Sequence, residues 1–137
     1  MTASRQEFER SIAALDRVFV FADTFFRSHE VGDRSAFALK LAIEEVFTNF
    51  VKYNPESPES LTIDLVQSGD DVIVRLVDPD TEPFDITDYD LADTTSDLED
   101  RVPGGLGIYL VRKMVDDVLY EHKGRESTIT LTKNMTS

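Results

Sequence analysis

Three groups of residues in this chain combine types and spacings that can do chemistry. The first is Glu45, Asn49 and Lys52. A helix turns by about 100° per residue, so these three would share one stripe. The Asn49 amide oxygen is a hard ligand suited to magnesium, and the Lys52 ammonium is a point charge suited to phosphate. The Glu45 carboxylate, one turn earlier, can orient or deprotonate an attacking hydroxyl. The same spacing also suits a solvated helix face carrying an ordinary Glu–Lys combination. The second group is Asp78 alone, where the apolar run Val72–Val77 ends. Its carboxylate can accept a hydrogen bond from the amino group of adenine, or it can be a turn residue before Pro79. The third is Gly104-Gly105-Leu106-Gly107 ahead of an amphipathic stretch. Glycines let backbone amides approach phosphate oxygens, and a helix N-terminus favours negative charge. A flexible hinge after Pro103 would have the same composition. The cluster is neither a Walker P-loop, which needs Gly-Lys-Ser/Thr, nor a dinucleotide fingerprint after a first strand.

Composition removes other chemistries. The chain has no cysteine, so there is no disulfide framework, thiolate metal site or cysteine nucleophile. Only His29 and His122 are present, too few for a histidine-rich metal site. There is no Gly-x-Ser-x-Gly elbow. No apolar run approaches the roughly 20 residues of a membrane span, and the N-terminus lacks a signal-peptide core, so a cytoplasmic protein without membrane contact is expected. Net charge is −13, from 27 acids and 14 bases. Ten of the acids fall between Asp78 and Asp100 with no base among them; the remainder of the chain is nearly balanced. Lys and Arg are not clustered as phosphate-backbone neutralisation requires, so nucleic acid is not an expected partner.

The elements that must position these groups follow from periodicity. Ile12, Leu15, Val18, Phe19, Ala22, Phe25 and Phe26 predict a helix over 11–29, with Ser11 at its start and Gly32 after its end. Asp33 is the expected N-cap of a second helix that runs to about Tyr53 and stops at Asn54-Pro55. Its core stripe is Leu39, Ile43, Val46 and Phe50, roughly 120° from the polar stripe. Leu61–Leu65 and Val72–Val77 predict two strands joined by a turn at Ser68-Gly69-Asp70-Asp71. The acidic block reads as a long surface loop, a kind of segment that is usually functional. A third helix is expected over roughly Leu106–Asp116. A last strand pair, about Val118–His122 and Ser127–Thr132, turns at Lys123-Gly124-Arg125. The expected fold is one domain over 1–137, a two-layer α/β sandwich with about three helices on a four-stranded mixed or antiparallel sheet.

In this order the three groups resemble the N box and the two glycine boxes of the Bergerat ATPase superfamily, which includes histidine kinases and gyrase. Glu44–Tyr53 looks like the N box and Gly104–Val111 like the second glycine box. Met114–Tyr120, the closing strand Thr128–Lys133 and Pro83-Phe84-Asp85 look most like the anti-sigma-factor serine kinases. The resemblance covers roughly residues 8–133. It implies ATP and magnesium as cofactors, with Asn49 ligating the metal and Glu45 as general base. Lys52 and Tyr53 would face the phosphates, and Asp78 would read adenine. The amides of Gly104, Gly105, Leu106 and Gly107, with Arg101, would hold the triphosphate. Residues of about 79–103 correspond to the ATP lid. Between 85 and 103 the lid carries seven acids and Arg101 as its one base, so it is expected to be mobile until nucleotide orders it.

Family members phosphorylate a serine on an anti-anti-sigma partner and sequester a sigma factor, usually as dimers. The implied function is thus an ATP-dependent serine/threonine protein kinase acting on a small regulatory protein. One departure stands out. The first glycine box normally reads Asp-x-Gly, and here it is Asp78-Pro79-Asp80. Asp80 puts a side chain where the base is closely approached, and Pro79 removes an amide. This departure supports an alternative, a non-catalytic nucleotide-binding or partner-binding module on the same fold. The catalytic half of a histidine kinase is disfavoured, because no phosphoacceptor helix precedes the domain.

Overall fold

The computed structural model describes residues 3–81 and 111–136. Arg101, Gly104, Gly105, Leu106 and Gly107, and almost all of the acidic lid segment, lie outside the described residues.

Among the described residues five antiparallel strands form one sheet: β1 (Ala3–Phe8), β2 (Leu61–Ser68), β3 (Asp71–Asp78), β4 (Asp117–Lys123) and β5 (Glu126–Asn134), in the order β1-β2-β3-β5-β4. The sheet has one strand more than the four expected. The extra strand, β1, has the sequence Ala-Ser-Arg-Gln-Glu-Phe, of which only Phe8 is buried. Backbone pairing with β2, from Ala3 opposite Val66 to Phe8 opposite Leu61, places it. No alternation of apolar side chains announces such a strand.

The two hairpins form where the turn residues require. Gly69 and Gly124 both adopt positive φ, at 60° and 64°, which a residue with a Cβ reaches only with strain. Along β2 and β3, Leu61, Ile63, Leu65, Val72, Val74 and Leu76 are buried, and with Ile129 and Leu131 of β5 they form the sheet's side of the core. Asp78 continues the buried face of β3 by the two-residue period. It therefore points into the helix-covered side.

Among the described residues, two long helices supply the other layer. α1 (Leu15–Ser28) buries Val18, Ala22, Phe25 and Phe26. It is shorter than the expected 11–29, because Ile12–Ala14 form a 3-10 turn that precedes it. Ser11 does cap, its hydroxyl accepting from the Ala13 amide at 3.1 Å, but it caps that turn. α2 (Asp33–Tyr53) buries Leu39, Ala42, Ile43, Val46, Phe47 and Phe50. Its N-cap is Gly32 rather than Asp33, which lies in the first turn and there faces the positive end of the helix dipole. A Cβ on Gly32 would meet the Met135 carbonyl oxygen at 3.0 Å, so a side chain there would require the C-terminal segment to give by a few tenths of an ångström. Residues 111–114 are helical, with Val111 and Val115 buried in the same core. Phe8 ties the layers together, packing edge-on against Phe21 of α1 at 5.6 Å and Phe47 of α2 at 6.4 Å. That anchor fixes the chain just before Arg10.

Candidate nucleotide site

α2 carries the first part of the site. Glu45 is half-buried, Asn49 buried, Lys52 exposed and Tyr53 half-buried. Along the stripe expected from spacing, burial is deepest at Asn49 in the middle and gives way to solvent at Lys52. Asn49 is 3% exposed, and among the described residues neither its Oδ1 nor its Nδ2 has a hydrogen-bond partner. An orphaned buried amide costs about 1–3 kcal/mol relative to a satisfied one. Its donor chemistry fits a hard cation at Oδ1 and an anionic oxygen at Nδ2. Among the described residues no three His, Cys, Asp or Glu side chains group as a metal cage. A magnesium ion held here would take one protein amide and fill its sphere with phosphate and water oxygens.

The second part is the corner after β3. Asp78 is fully buried and accepts two hydrogen bonds from Arg10, Nη1 to Oδ2 at 2.9 Å and Nη2 to Oδ1 at 2.7 Å. Oδ1 also accepts from the Asp80 amide at 2.9 Å. The Arg10 side chain is 2% exposed. Its Nε donates to the Glu59 carbonyl at 3.2 Å and its Nη1 reaches the Phe50 carbonyl at 3.5 Å. One guanidinium therefore joins the end of β3 to the last turns of α2, beside Asn49. Asp78, the carboxylate expected from the sequence to read adenine, is buried with an arginine on it.

Asp80 is held from two other parts of the chain, the connection after α2 and the β4–β5 turn. Its carboxylate accepts from the Ser57 hydroxyl at 2.7 Å and from Arg125 Nε at 2.7 Å. These two partners, Ser57 first, hold its carboxyl below the usual range. Its carbonyl accepts from Asn54 Nδ2 at 2.7 Å. The Thr81 amide donates to the Arg125 carbonyl at 2.9 Å. Ser127, opposite Asp78 across β3 and β5, is also buried, with its hydroxyl 2.9 Å from His122 Nδ1.

Arg10, Asn54, Ser57 and Arg125 are site residues that sequence reasoning did not find. Each acts from a distant part of the chain, 68 positions away for Arg10 and Asp78. The one available signal was the charge of Asp80 in a glycine's place, which calls for cationic or hydroxyl partners.

Over residues 8–133 the chain matches the family described as histidine kinase-like ATPase domain. The chain belongs to that family. The serine-protein kinase RsbW of Listeria monocytogenes serovar 1/2a (strain ATCC BAA-679 / EGD-e) is 32% identical over 101 residues. The match takes in 67% of this chain and 62% of that protein, so the chain spans less than two thirds of the relative's length. Among solved structures, the RsbU and RsbW domains of Rv1364c from Mycobacterium tuberculosis superpose with a TM-score of 0.72 at 15% identity, over 98% of this chain and 33% of that one. The SiaB–SiaC complex of Pseudomonas aeruginosa gives 0.66 at 11% identity, over 95% of this chain and 87% of that one. The histidine kinase AdeS of Acinetobacter baumannii gives 0.55 at 12% identity, over 100% and 70% respectively. At such identities these likenesses establish the fold.

Proposed function

We propose that this chain is an ATP-dependent serine/threonine protein kinase of the anti-sigma-factor type, which phosphorylates a small anti-anti-sigma-like regulatory protein and sequesters a partner. The observation that carries the reading is the buried amide of Asn49, unpartnered among the described residues, one helical turn after Glu45 in a chain of the histidine kinase-like ATPase family. Asn49 Oδ1 would hold magnesium, which when bound neutralises charge on the transferring phosphoryl group. Glu45 lies at the core edge of the same stripe, where its carboxylate can take the proton of an attacking serine hydroxyl. Lys52, exposed at the outer end, offers a point charge to phosphate oxygens, and Tyr53 lies beside it. Arg101 and the amides of Gly104, Gly105, Leu106 and Gly107 complete the triphosphate contacts in this reading. Adenine recognition is the one role not carried over, because Asp78 already accepts both Arg10 donors. By the same reading the protein works in the cytoplasm as a homodimer and holds a sigma factor. Among the described residues no helix is long and apolar enough to cross a membrane.

Incubation with γ-labelled ATP, magnesium and an anti-anti-sigma-domain protein tests the proposal. Label should move to a serine of that protein. Glu45→Gln should keep nucleotide affinity within a few-fold and lose about 10²-fold or more of the transfer rate. Glu44→Gln, turned by about 100° on the helix, is the control that should transfer normally. Equal loss of affinity and rate in Glu45→Gln would make the residue structural. A second reading, a non-catalytic module that regulates by holding a partner, is favoured by the Arg10–Asp78 pair and the missing glycine at position 80. Partner capture with no label transfer would select it.

A further inference from the structure

Asp78 is the most heavily bonded carboxylate of the site. Three of its acceptor positions are filled, two by Arg10 and one by the Asp80 amide. Both charged side chains are out of solvent, at 2% exposure for Arg10 and 0% for Asp78. Separating a buried, bidentate pair leaves a charge without compensation. One neutral hydrogen bond from an amino group returns far less than that loss. An adenine amino group therefore does not compete for this carboxylate on equal terms.

The surrounding corner reinforces the arrangement. Arg10 also bonds the Glu59 and Phe50 carbonyls, so withdrawing it would leave those acceptors as well. Asp80 stands where a glycine would let a base approach, and its carboxylate is committed to Ser57 and Arg125. Phe8, packed against Phe21 and Phe47, holds the strand end two residues before Arg10. The pair is thus supported from β1, α1 and α2 together.

We infer that Arg10 has taken over the carboxylate that would read adenine, so that Asp78 is a structural anchor and the site does not select for the 6-amino group of the base. Arg10 is then the residue that sets base specificity, acting through Asp78. The triphosphate and its metal supply the affinity, through Asn49 and the phosphate-facing residues, and the purine is held without being read at position 6. This inference rests on the proposal that the site binds nucleotide.

Calorimetric titration of the whole chain with magnesium-ATP and magnesium-ITP tests it, since inosine carries a carbonyl in place of the amino group. Wild type should bind the two within about threefold, and a preference for ATP of about tenfold or more, the scale of one hydrogen bond, would overturn the inference. Arg10→Gln frees Asp78 and should raise the ATP preference to about tenfold. An unchanged ratio in that variant would also count against it. A nucleotide-free arm covers variants that fold poorly. Urea unfolding of wild type, Arg10→Met, Asp78→Leu and the double variant forms a cycle. Each single change should lower the folding constant by about 100-fold or more, and the double should lose much less than the product of the two. Multiplicative losses would mean that the pair is not coupled and would sink the anchor role. If neither triphosphate binds wild type, the nucleotide proposal fails, and the cycle alone decides whether Arg10 holds Asp78.

Discussion

Asn49 combines burial with two unpartnered amide atoms among the described residues, a combination that folding alone does not favour. Such groups persist where function needs them, and their removal tends to be neutral or stabilising for the empty protein. Asn49→Ala should therefore keep a melting temperature at or above that of wild type without ligand. The same variant should lose magnesium-dependent nucleotide binding in calorimetry. A fall of several degrees in melting temperature, with binding intact, would assign the amide to the scaffold. Arg10 presents the opposite case. Its charge is buried and fully engaged, so it strengthens the scaffold at the position where a ligand group would otherwise be read.

At the scale of elements, the corner after β3 is where three other parts of the chain converge. The segment before α1 supplies Arg10, the connection after α2 supplies Asn54 and Ser57, and the β4–β5 turn supplies Arg125. The Ser57 hydroxyl and the Arg125 guanidinium lower the Asp80 pKa from its ordinary value. A carboxyl depressed in the folded state contributes stability above its unfolded pKa, about 3.9, and loses it as pH falls through the folded value. Asp80→Asn should thus lower the melting temperature at pH 7. The gap to wild type should narrow below about pH 4 and close once both states are protonated. Asp80 and Arg125 are partly exposed, so the effect should be modest and weaken with salt. A gap that stays constant from pH 7 to pH 2 would show that the carboxylate charge is not what Ser57 and Arg125 stabilise.

The whole molecule carries 13 excess negative charges. Self-repulsion at that charge opposes the compact state, and salt screens it, with a Debye length falling from about 20 Å near 20 mM to about 6 Å near 300 mM. Raising sodium chloride over that range should raise the melting temperature of wild type. The buried Arg10–Asp78 pair is little screened, so Arg10→Met should show the same upward slope from a lower starting point. A melting temperature that falls with salt would mean that exposed ion pairs, such as Arg5–Asp64 and Lys40–Asp23, outweigh the repulsion.

Much of this architecture is readable without coordinates, because its signals are local. The 3.6-residue period marks α2 and its polar stripe, and the two-residue period marks β2, β3 and β5. Gly69 and Gly124 mark the hairpins through the backbone freedom that those turns need. The same local order of motifs points to the histidine kinase-like ATPase family. β1 is different in kind, since a polar segment becomes a strand through hydrogen bonds to β2, a partner more than 50 positions away in the chain. The engagement of Asp78 likewise depends on a residue 68 positions away, brought there by the packing of Phe8 and the approach of α2 to β3. Spacing along the chain says which groups share a face. Whether a carboxylate on that face is free for a ligand or held by an arginine is decided by long-range packing, and no local period records it.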